Sequence, residues 1–326
     1  MITPADAAPE AARPEARPGA EAPGAATPED RMPEAAVIVP HHDDRERLAR
    51  GLAALARDPD LPRVEVVVVD NASPVDLGAV MAAHPFARLV VEPRRGAAAA
   101  RNRGVAETRA PLLFFLDCDC VPAPGWIAAG LEALAGEGAP DAVGGRVEVF
   151  HETNGAGPRS GPRSGAQAFE AVFAFDNRAY VERKGFSVTA NLVTRRAVFE
   201  DVGPFRPGLS EDLDWCARAR ARGWRLGYDE RLRVAHPSRA DWPALERKWR
   251  RLTEETWGLG AGDARARARW AARALLMPAS VVAHLPRVLR HPGLSGAERA
   301  RAAATLARLR LRRAGWMLRQ AAGGRL

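Results

Sequence analysis

Cysteine, lysine and long apolar runs are what this 326-residue chain has least of. The three cysteines, Cys118, Cys120 and Cys216, are odd in number and lack metal-ligand spacing, which argues against a disulfide framework or a structural zinc site. Reduced thiols place the protein in the cytoplasm. Only Lys184 and Lys248 are lysine, so arginine carries nearly all the positive charge, a bias that a GC-rich genome produces without any function. No apolar run approaches the ~20 residues needed to span a bilayer. The least polar part of the C-terminal third, Ala274–Pro286, is interrupted by Pro278 and Pro286, so no transmembrane helix is predicted. Residues 1–33 are rich in Ala, Pro, Glu and Arg without an apolar core; a disordered leader is expected there, and no signal peptide. No Gly-x-Gly-x-x-Gly follows a strand, which counts against a dinucleotide-dependent oxidoreductase.

What is present is a foldable core, at 47% hydrophobic residues, and an uneven charge. The formal net charge of +8 conceals 25 basic against 8 acidic residues from Cys216 to Leu326, leaving the rest of the chain acidic. Clustering of one sign at one end points to an anionic partner or a solvated helical face.

From Ala36 onward, short β-branched runs alternate with amphipathic stretches. Strands are predicted at Ala36–Val39, Val64–Val69, Leu89–Val91 and Leu112–Leu116, with Leu48, Leu52 and Leu55 on one face of a first helix and Gly96–Thr108 as another. This βαβαβ order predicts a doubly wound, mostly parallel α/β sheet with helices on both faces. Residues 151–166, with Gly-Pro-Arg-Ser twice in tandem, read as a loop. After it come a helix (Gln167–Asp176), a strand near Ser187–Val193, a helix from Glu211 and a short strand ending at His236. Beyond Trp242 the chain is helical and basic. The implied division is a leader (1–33), a catalytic domain (34–240, with halves 34–150 and 151–240) and a helical basic extension (241–326).

The most informative segment is Leu112-Leu113-Phe114-Phe115-Leu116-Asp117-Cys118-Asp119. Five large apolar residues read as a strand buried on both faces, and the two acids stand at its carboxyl end, where open α/β sheets present functional groups. In an extended segment, residues i and i+2 point to the same side, so both carboxylates can converge on one cation. Two hard oxygen ligands suit Mg²⁺ or Mn²⁺ when phosphates supply the rest. Four features accompany the pair. Val66–Val69 runs into Asp70-Asn71-Ala72-Ser73. Val39-Pro40-His41-His42-Asp43-Asp44 closes the first strand at the same sheet edge. Arg95-Gly96 opens a small-residue helix containing Arg101. Ser210-Glu211-Asp212-Leu213-Asp214-Trp215 starts a helix, and His236 ends a strand. Taken singly, each has an ordinary structural reading as a cap, a turn or a packed residue.

Together, in this order, they resemble the family 2 glycosyltransferases of the GT-A fold, over about residues 35–237. Asp117-Cys118-Asp119 stands where that family has its Asp-x-Asp. Gly185–Leu192, with Asn191, and Val202-Gly203-Pro204-Phe205 match its acceptor half, and Glu211-Asp212 matches the acidic pair that carries the catalytic base. The departure is His41-His42-Asp43-Asp44, where relatives usually have a Thr-Tyr-Asn-like segment. The resemblance implies an inverting transfer from a nucleoside-diphosphate sugar. Pro40, Asp70, Gly96, Arg101, Asp117 and Asp119 would lie on the donor side, and Asp117, Asp119 and His236 would serve Mg²⁺ or Mn²⁺. Asp212 would deprotonate an acceptor hydroxyl, with Glu211, Asn191 and Trp215 on the acceptor side. A first-turn position at a helix N-terminus favours the ionised form of Asp212. The acceptor would be a carbohydrate or lipid-linked, in surface polysaccharide or glycolipid synthesis. Arginine with Trp249, Trp257, Trp270 and Trp316 in the extension suits either peripheral contact with an anionic membrane face or packing on the catalytic domain.

Two other classes are consistent with parts of the pattern. A nucleotidyltransferase also pairs acids around a metal, but should carry a Gly-rich basic loop after strand one. A nucleic-acid-binding protein would use the basic C-terminus, yet no known motif of that kind is present, so no nucleic-acid partner is expected.

Overall fold

A computed structural model of the chain describes residues 32–152, 161–208, 210–258 and 263–326. Residues 1–31 of the expected leader, and residues 153–160 of the loop holding the tandem Gly-Pro-Arg-Ser, lie outside the described residues. The strands are β1 (Ala35–His41), β2 (Val64–Asp70), β3 (Ala87–Val91), β4 (Leu112–Leu116), β5 (Val121–Pro122), β6 (Ala142–Phe150), β7 (Asn191–Arg195) and β8 (Leu226–Pro237). They form one eight-stranded sheet in the order β3-β2-β1-β4-β7-β6-β8-β5. The β3-β2-β1-β4 part is parallel throughout, β7 is antiparallel to both β4 and β6, β8 is parallel to β6, and β5 is antiparallel to β8. Four of the seven pairings are parallel, and helices cover both faces, as the alternating pattern implies.

The continuous apolar runs of β1, β2 and β4 serve two cores at once because strand side chains alternate in direction. Val37, Val39, Val66, Val68, Phe114 and Leu116 pack on one face against Leu48, Leu52 and Leu55 of helix α1 (Arg45–Leu55). Helices α2 (Gly78–Ala83) and α3 (Ala97–Ala106) follow β2 and β3. Ile38, Val67, Val69, Leu113 and Phe115 face the other way, toward Ala98, Ala100 and Val105 of α3. Helix α4 (Trp126–Ala133) adds Trp126 and Ile127 to the first face. The chain moves outward from β1 to β3 and returns on the other side of β1 as β4, so the order reverses between β1 and β4. That reversal opens a crevice at the carboxyl ends of the strands, the usual ligand position in such sheets.

Beyond β6, α5 (Gly165–Phe173) begins at a capping box in which Ser164 and Gln167 bond each other's backbone. A short helix α6 (Asn177–Ala179) continues into a π-helical turn, so the helix expected over Gln167–Asp176 ends earlier and is followed by two small pieces. After β7 come α7 (Arg196–Val202) and α8 (Glu211–Ala221). The strand expected from Ser187 starts at Asn191, because Asn191 N donates back to Val188 O and makes a turn of the preceding residues. The short strand expected before His236 is a twelve-residue β8. β6 has no counterpart in the sequence reading because Gly144-Gly145 interrupts its apolar pattern. A Cβ on Gly145 would collide with the Leu232 carbonyl and the Asn191 amide, so the glycine permits close strand approach.

The C-terminal part consists of α9 (Trp242–Gly258), α10 (Ala264–Leu276), α11 (Ser280–Leu289) and α12 (Gly296–Ala321). Leu245, Val288, Leu306 and Leu309 from these helices share a core with Ala168 and Phe169 of α5. The tryptophans turn inward: Trp249 packs beneath the Arg313 guanidinium, 4.5 Å from its ring centre, and the Trp257 and Trp270 rings lie 5.6 Å apart. Among the described residues, no helix is long and apolar enough to cross a membrane.

Candidate active site

Two loops close the β1 and β2 ends. Asp43 and Ala72, one in each, are the only non-glycine residues with positive φ among those described, at 52° and 53°. Such backbone costs ~1–3 kcal/mol per residue and gathers where a fixed loop shape is needed. The loops hold each other: Asp43 N donates to Ser73 Oγ at 3.0 Å, and His42 Nδ1 lies 3.0 Å from Asn71 O. His41 is buried; its Nε2 accepts from Asp44 N at 3.1 Å, so its proton sits on Nδ1 and is donated to Asp70 Oδ1 at 3.1 Å. His41 therefore braces Asp70 and is unavailable to a ligand.

Asn71, also buried, donates to Glu92 O and Arg94 O and accepts from Gly96 N at 2.7 Å. That fastens the α3 entrance to the β2 end. Gly96 has φ 124° and open space where a Cβ would stand, so the backbone angle selects glycine here. Pro40 is buried in the part of β1 that extends beyond its ladder with β4, at the lip of the crevice.

Just over one turn into α3 stands Arg101, which is 3% exposed. Its Nη1 donates to Glu211 Oε1 at 2.7 Å, and its Nη2 donates to Asp117 Oδ1. Although burial opposes the charge, Asp117 and Glu211 hold the guanidinium firmly protonated. One buried cation thus joins the β4 end to the α8 start. Asp212, the next residue, accepts from Leu213 N at 2.8 Å and Ser210 Oγ at 3.0 Å. Burial and then the Glu211 charge push its carboxyl above the usual aspartate range, against the pull of those hydrogen bonds and Arg101. The helix-terminus argument expected the ionised form to be favoured; burial and Glu211 outweigh it.

The extended geometry expected over Asp117-Cys118-Asp119 does not form. Cys120 N donates to Asp117 O at 2.9 Å, making a turn that sends the two carboxylates different ways. Asp117 goes to Arg101, and Asp119 Oδ2 lies 3.3 Å from His236 Nε2. His236 Nδ1 is 2.7 Å from Pro237 O, an acceptor only, so Nδ1 donates there and Nε2 is the ring nitrogen that faces Asp119. Among the described residues no three His, Cys, Asp or Glu side chains group closely enough to hold a metal ion, so Asp117 is not gathered with Asp119 and His236. Burial and the neighbouring acids push the Cys118 and Cys120 thiols well up, which keeps them protonated.

Of the three expected acceptor-side residues, Glu211, Asn191 and Trp215, the last two are fully buried. Asn191 accepts from Trp126 Nε1 at 2.9 Å and donates to Arg146 O and Leu232 O, which uses its whole amide to clamp the sheet. Trp215 is fully buried among Phe199 and Phe205, with its Nε1 donating to Gly203 O. The sequence reading expected helix beyond Trp242, as α9 shows, but placed none of its residues at the site. Arg247, Lys248 and Arg251 of α9 line a cavity that reaches Asp119 and His236, and Glu255 lies in the field of Glu211 and Asp212. No local motif marks these residues; only the packing of α9 brings them there.

A family model described as glycosyl transferase family 2 matches residues 36–203. The glycosyltransferase AglE of Haloferax volcanii is 29% identical over 229 residues, covering 67% of this chain and 72% of that protein. The pre-mycofactocin glycosyltransferase of Mycobacterium tuberculosis is 28% identical over 235 residues, 65% of this chain, which spans 45% of that relative's length. Among solved structures, the mannosyltransferase PcManGT of Pyrobaculum calidifontis, in complex with GDP-Man and Mn²⁺, superposes with a TM-score of 0.52 at 18% identity, covering 93% of this chain and 79% of that one. That likeness is one of fold.

Proposed function

This chain belongs to glycosyl transferase family 2, and from that premise we propose that it transfers a sugar, with inversion, from a nucleoside-diphosphate sugar to an acceptor hydroxyl. The carrying observation is the buried guanidinium of Arg101, which couples Asp117 at the strand crevice to Glu211 beside Asp212. On this reading the donor half is residues 34–150 and the acceptor half 151–240. Asp70, braced by His41, receives the ribose or base, and Gly96 lets the α3 backbone approach the donor. Asp117 is held in place by Arg101 and faces the donor.

Asp212 is the base that takes the proton of the acceptor hydroxyl as that oxygen attacks the anomeric carbon. A carboxylate raised above its usual range is a stronger base when ionised. Glu211 raises Asp212 and anchors it to Arg101. Asp119 and His236 would hold a divalent cation, Mg²⁺ or Mn²⁺, with the carboxylate as its hard oxygen ligand. When bound, such an ion supplies positive charge for the departing diphosphate.

Peripheral contact with a membrane, and hence a lipid-linked or surface-polysaccharide acceptor, is supported by apolar side chains left outside the C-terminal helices. Leu275 and Leu276 at the end of α10 are 69% and 68% exposed, and Val282 on α11 is 75% exposed, among many arginines. The test of the main reading is a thermal-shift panel of nucleoside diphosphates and their sugars with and without Mn²⁺. A ligand at ~100 times its dissociation constant adds about 2.7 kcal/mol, and absence of any stabilisation across the panel overturns the reading.

A further inference from the structure

Away from the crevice, three arginines gather without an acid. Helices α10 and α12 pack on each other through Trp270, Ala274, Met277, Ala314 and Met317. Arg273 of α10 and Arg310 and Arg313 of α12 stand beside that contact. Arg310 Nη1 lies 3.5 Å from Met277 Sδ, and Met277 is one turn from Arg273 on the same face of α10. Arg313 follows Arg310 by one turn of α12, on the same side. The three guanidinium groups therefore form one patch across two helices.

Their partners leave the charge uncancelled. Arg313 is 8% exposed; its Nε donates to Thr253 Oγ1 at 3.3 Å and its guanidinium lies over the Trp249 ring. Arg273 lies over the Trp270 ring, 5.8 Å from its centre. A ring face attracts a cation but does not neutralise it. Arg310 Nε is buried with no partner, and none of the three arginines has an ion pair with a carboxylate among the described residues. The groups also oppose one another: burial, and then Arg310 and Arg273, push the Arg313 guanidinium down to about 10. An anion seated among them would remove that repulsion and occupy the spare donors.

We propose that Arg273, Arg310 and Arg313 form a binding site for the phosphate of an anionic lipid headgroup. The planar guanidinium fork matches phosphate oxygens bidentately, which a point charge does not. What borders the patch favours a lipid as the source. Leu276, 68% exposed, lies one turn from Arg273 on its side of α10, and Leu311, 60% exposed, directly follows Arg310. A lipid brings its phosphate with acyl chains beside it, whereas a free phosphate leaves those leucines in water. The inference rests on the peripheral-membrane reading above and narrows it, from general attraction between arginines and an anionic surface to one place where a headgroup is seated. The candidate active site draws none of its named residues from α10 or α12, so this phosphate is distinct from the donor's diphosphate.

The test uses the full chain in two assays: calorimetry with soluble dihexanoyl phosphatidylglycerol or inorganic phosphate, and flotation with phosphatidylcholine vesicles with and without phosphatidylglycerol. Arg273→Lys/Arg310→Lys keeps both charges and removes the forks, and is expected to weaken the soluble lipid roughly tenfold or more, with vesicle binding falling in parallel. Arg265→Ala/Arg269→Ala takes two charges from exposed positions of α10 and should leave the soluble lipid within about twofold. Should the double lysine variant fail to fold, Arg273→Lys alone, at an exposed position, is read the same way. If the lysine variant binds the soluble lipid and the vesicles as the parent does, or if the parent binds anionic vesicles but not the soluble lipid, attraction is diffuse; the site is wrong while the membrane reading stands. Inorganic phosphate binding as tightly as the lipid overturns the lipid source. A parent that binds the soluble lipid but no vesicle keeps the headgroup site and sinks the membrane reading.

Discussion

Glu211 Oε1 accepts a 2.7 Å hydrogen bond from Nη1 of Arg101, across 110 residues of sequence. The other arm of that guanidinium holds Asp117, and its Nε has no partner in the buried interior. Two carboxylates on different elements therefore depend on one cation for compensation.

Replacing Arg101 by Met is expected to destabilise the protein by about 3 kcal/mol, because Asp117 and Glu211 would lose the charge that offsets their partial burial. Urea denaturation monitored by circular dichroism checks this. A loss below ~0.5 kcal/mol would mean that solvent already screens both acids.

Asp212→Asn is expected to lower turnover by roughly 10²-fold or more while donor affinity holds, since the amide is isosteric but cannot take the proton. The parent's rate should fall on the acid side at a pH above the usual aspartate range, because the base must be ionised and burial with Glu211 raises it. Retained turnover would move the role to Glu211 or Asp214. Single-turnover rates at saturating donor, measured across pH, give both numbers.

Asp119→Ala and His236→Ala are each expected to weaken nucleoside-diphosphate binding when Mn²⁺ is present and to leave it unchanged in EDTA. Calorimetry under both conditions decides. Equal parent affinity with and without metal would remove the cation from the proposal.

Glu255 is pushed up to about 7, chiefly by burial, with Glu211, Asp212 and Glu254 adding to it against Arg251. Between its ordinary value of 4.5 and about 7 the folded chain holds a proton that the unfolded chain has lost. Stability from this group therefore falls as pH rises through that window, and the full cost is present above it. Glu255→Gln should thus raise Tm more at pH 8 than at pH 5. An equal change at both pH values would show that Glu255 titrates normally.

The exposed Leu275, Leu276 and Val282 among arginines are expected to give binding to anionic liposomes at low salt and release at high salt. Leu275→Ser/Val282→Ser should weaken sedimentation with vesicles. Equal binding to neutral and anionic vesicles, or none at low salt, would leave these helices as an ordinary packed subdomain.

The strands and first helices were legible because their signal is local. A run such as Val66–Val69 or Leu113–Leu116 can only be buried on both faces, and acids directly after it can only stand at the strand's end. β6 was illegible because Gly144 and Gly145 are there for the close approach of Leu232 and Ser187, which are distant in sequence. The candidate acids were equally readable, but their partners were not. Whether Asp117 meets a cation or Arg101 depends on a turn at Cys120 and on how α3 packs. Whether Asp212 is held low by a helix end or raised by burial depends on what covers it. Asn191 and Trp215 look exposed and functional in a motif, yet packing uses all their polar atoms internally. The α9 residues carry no pattern at all, since charge on a helix face has meaning only once the face it meets is known. Sequence alone determined the parallel strands β1 to β4, the crevice at their ends and the acids at its edge, because those follow from the periodicity of single segments. Only the tertiary structure decided which charges meet, because pairing and desolvation are properties of the space between segments.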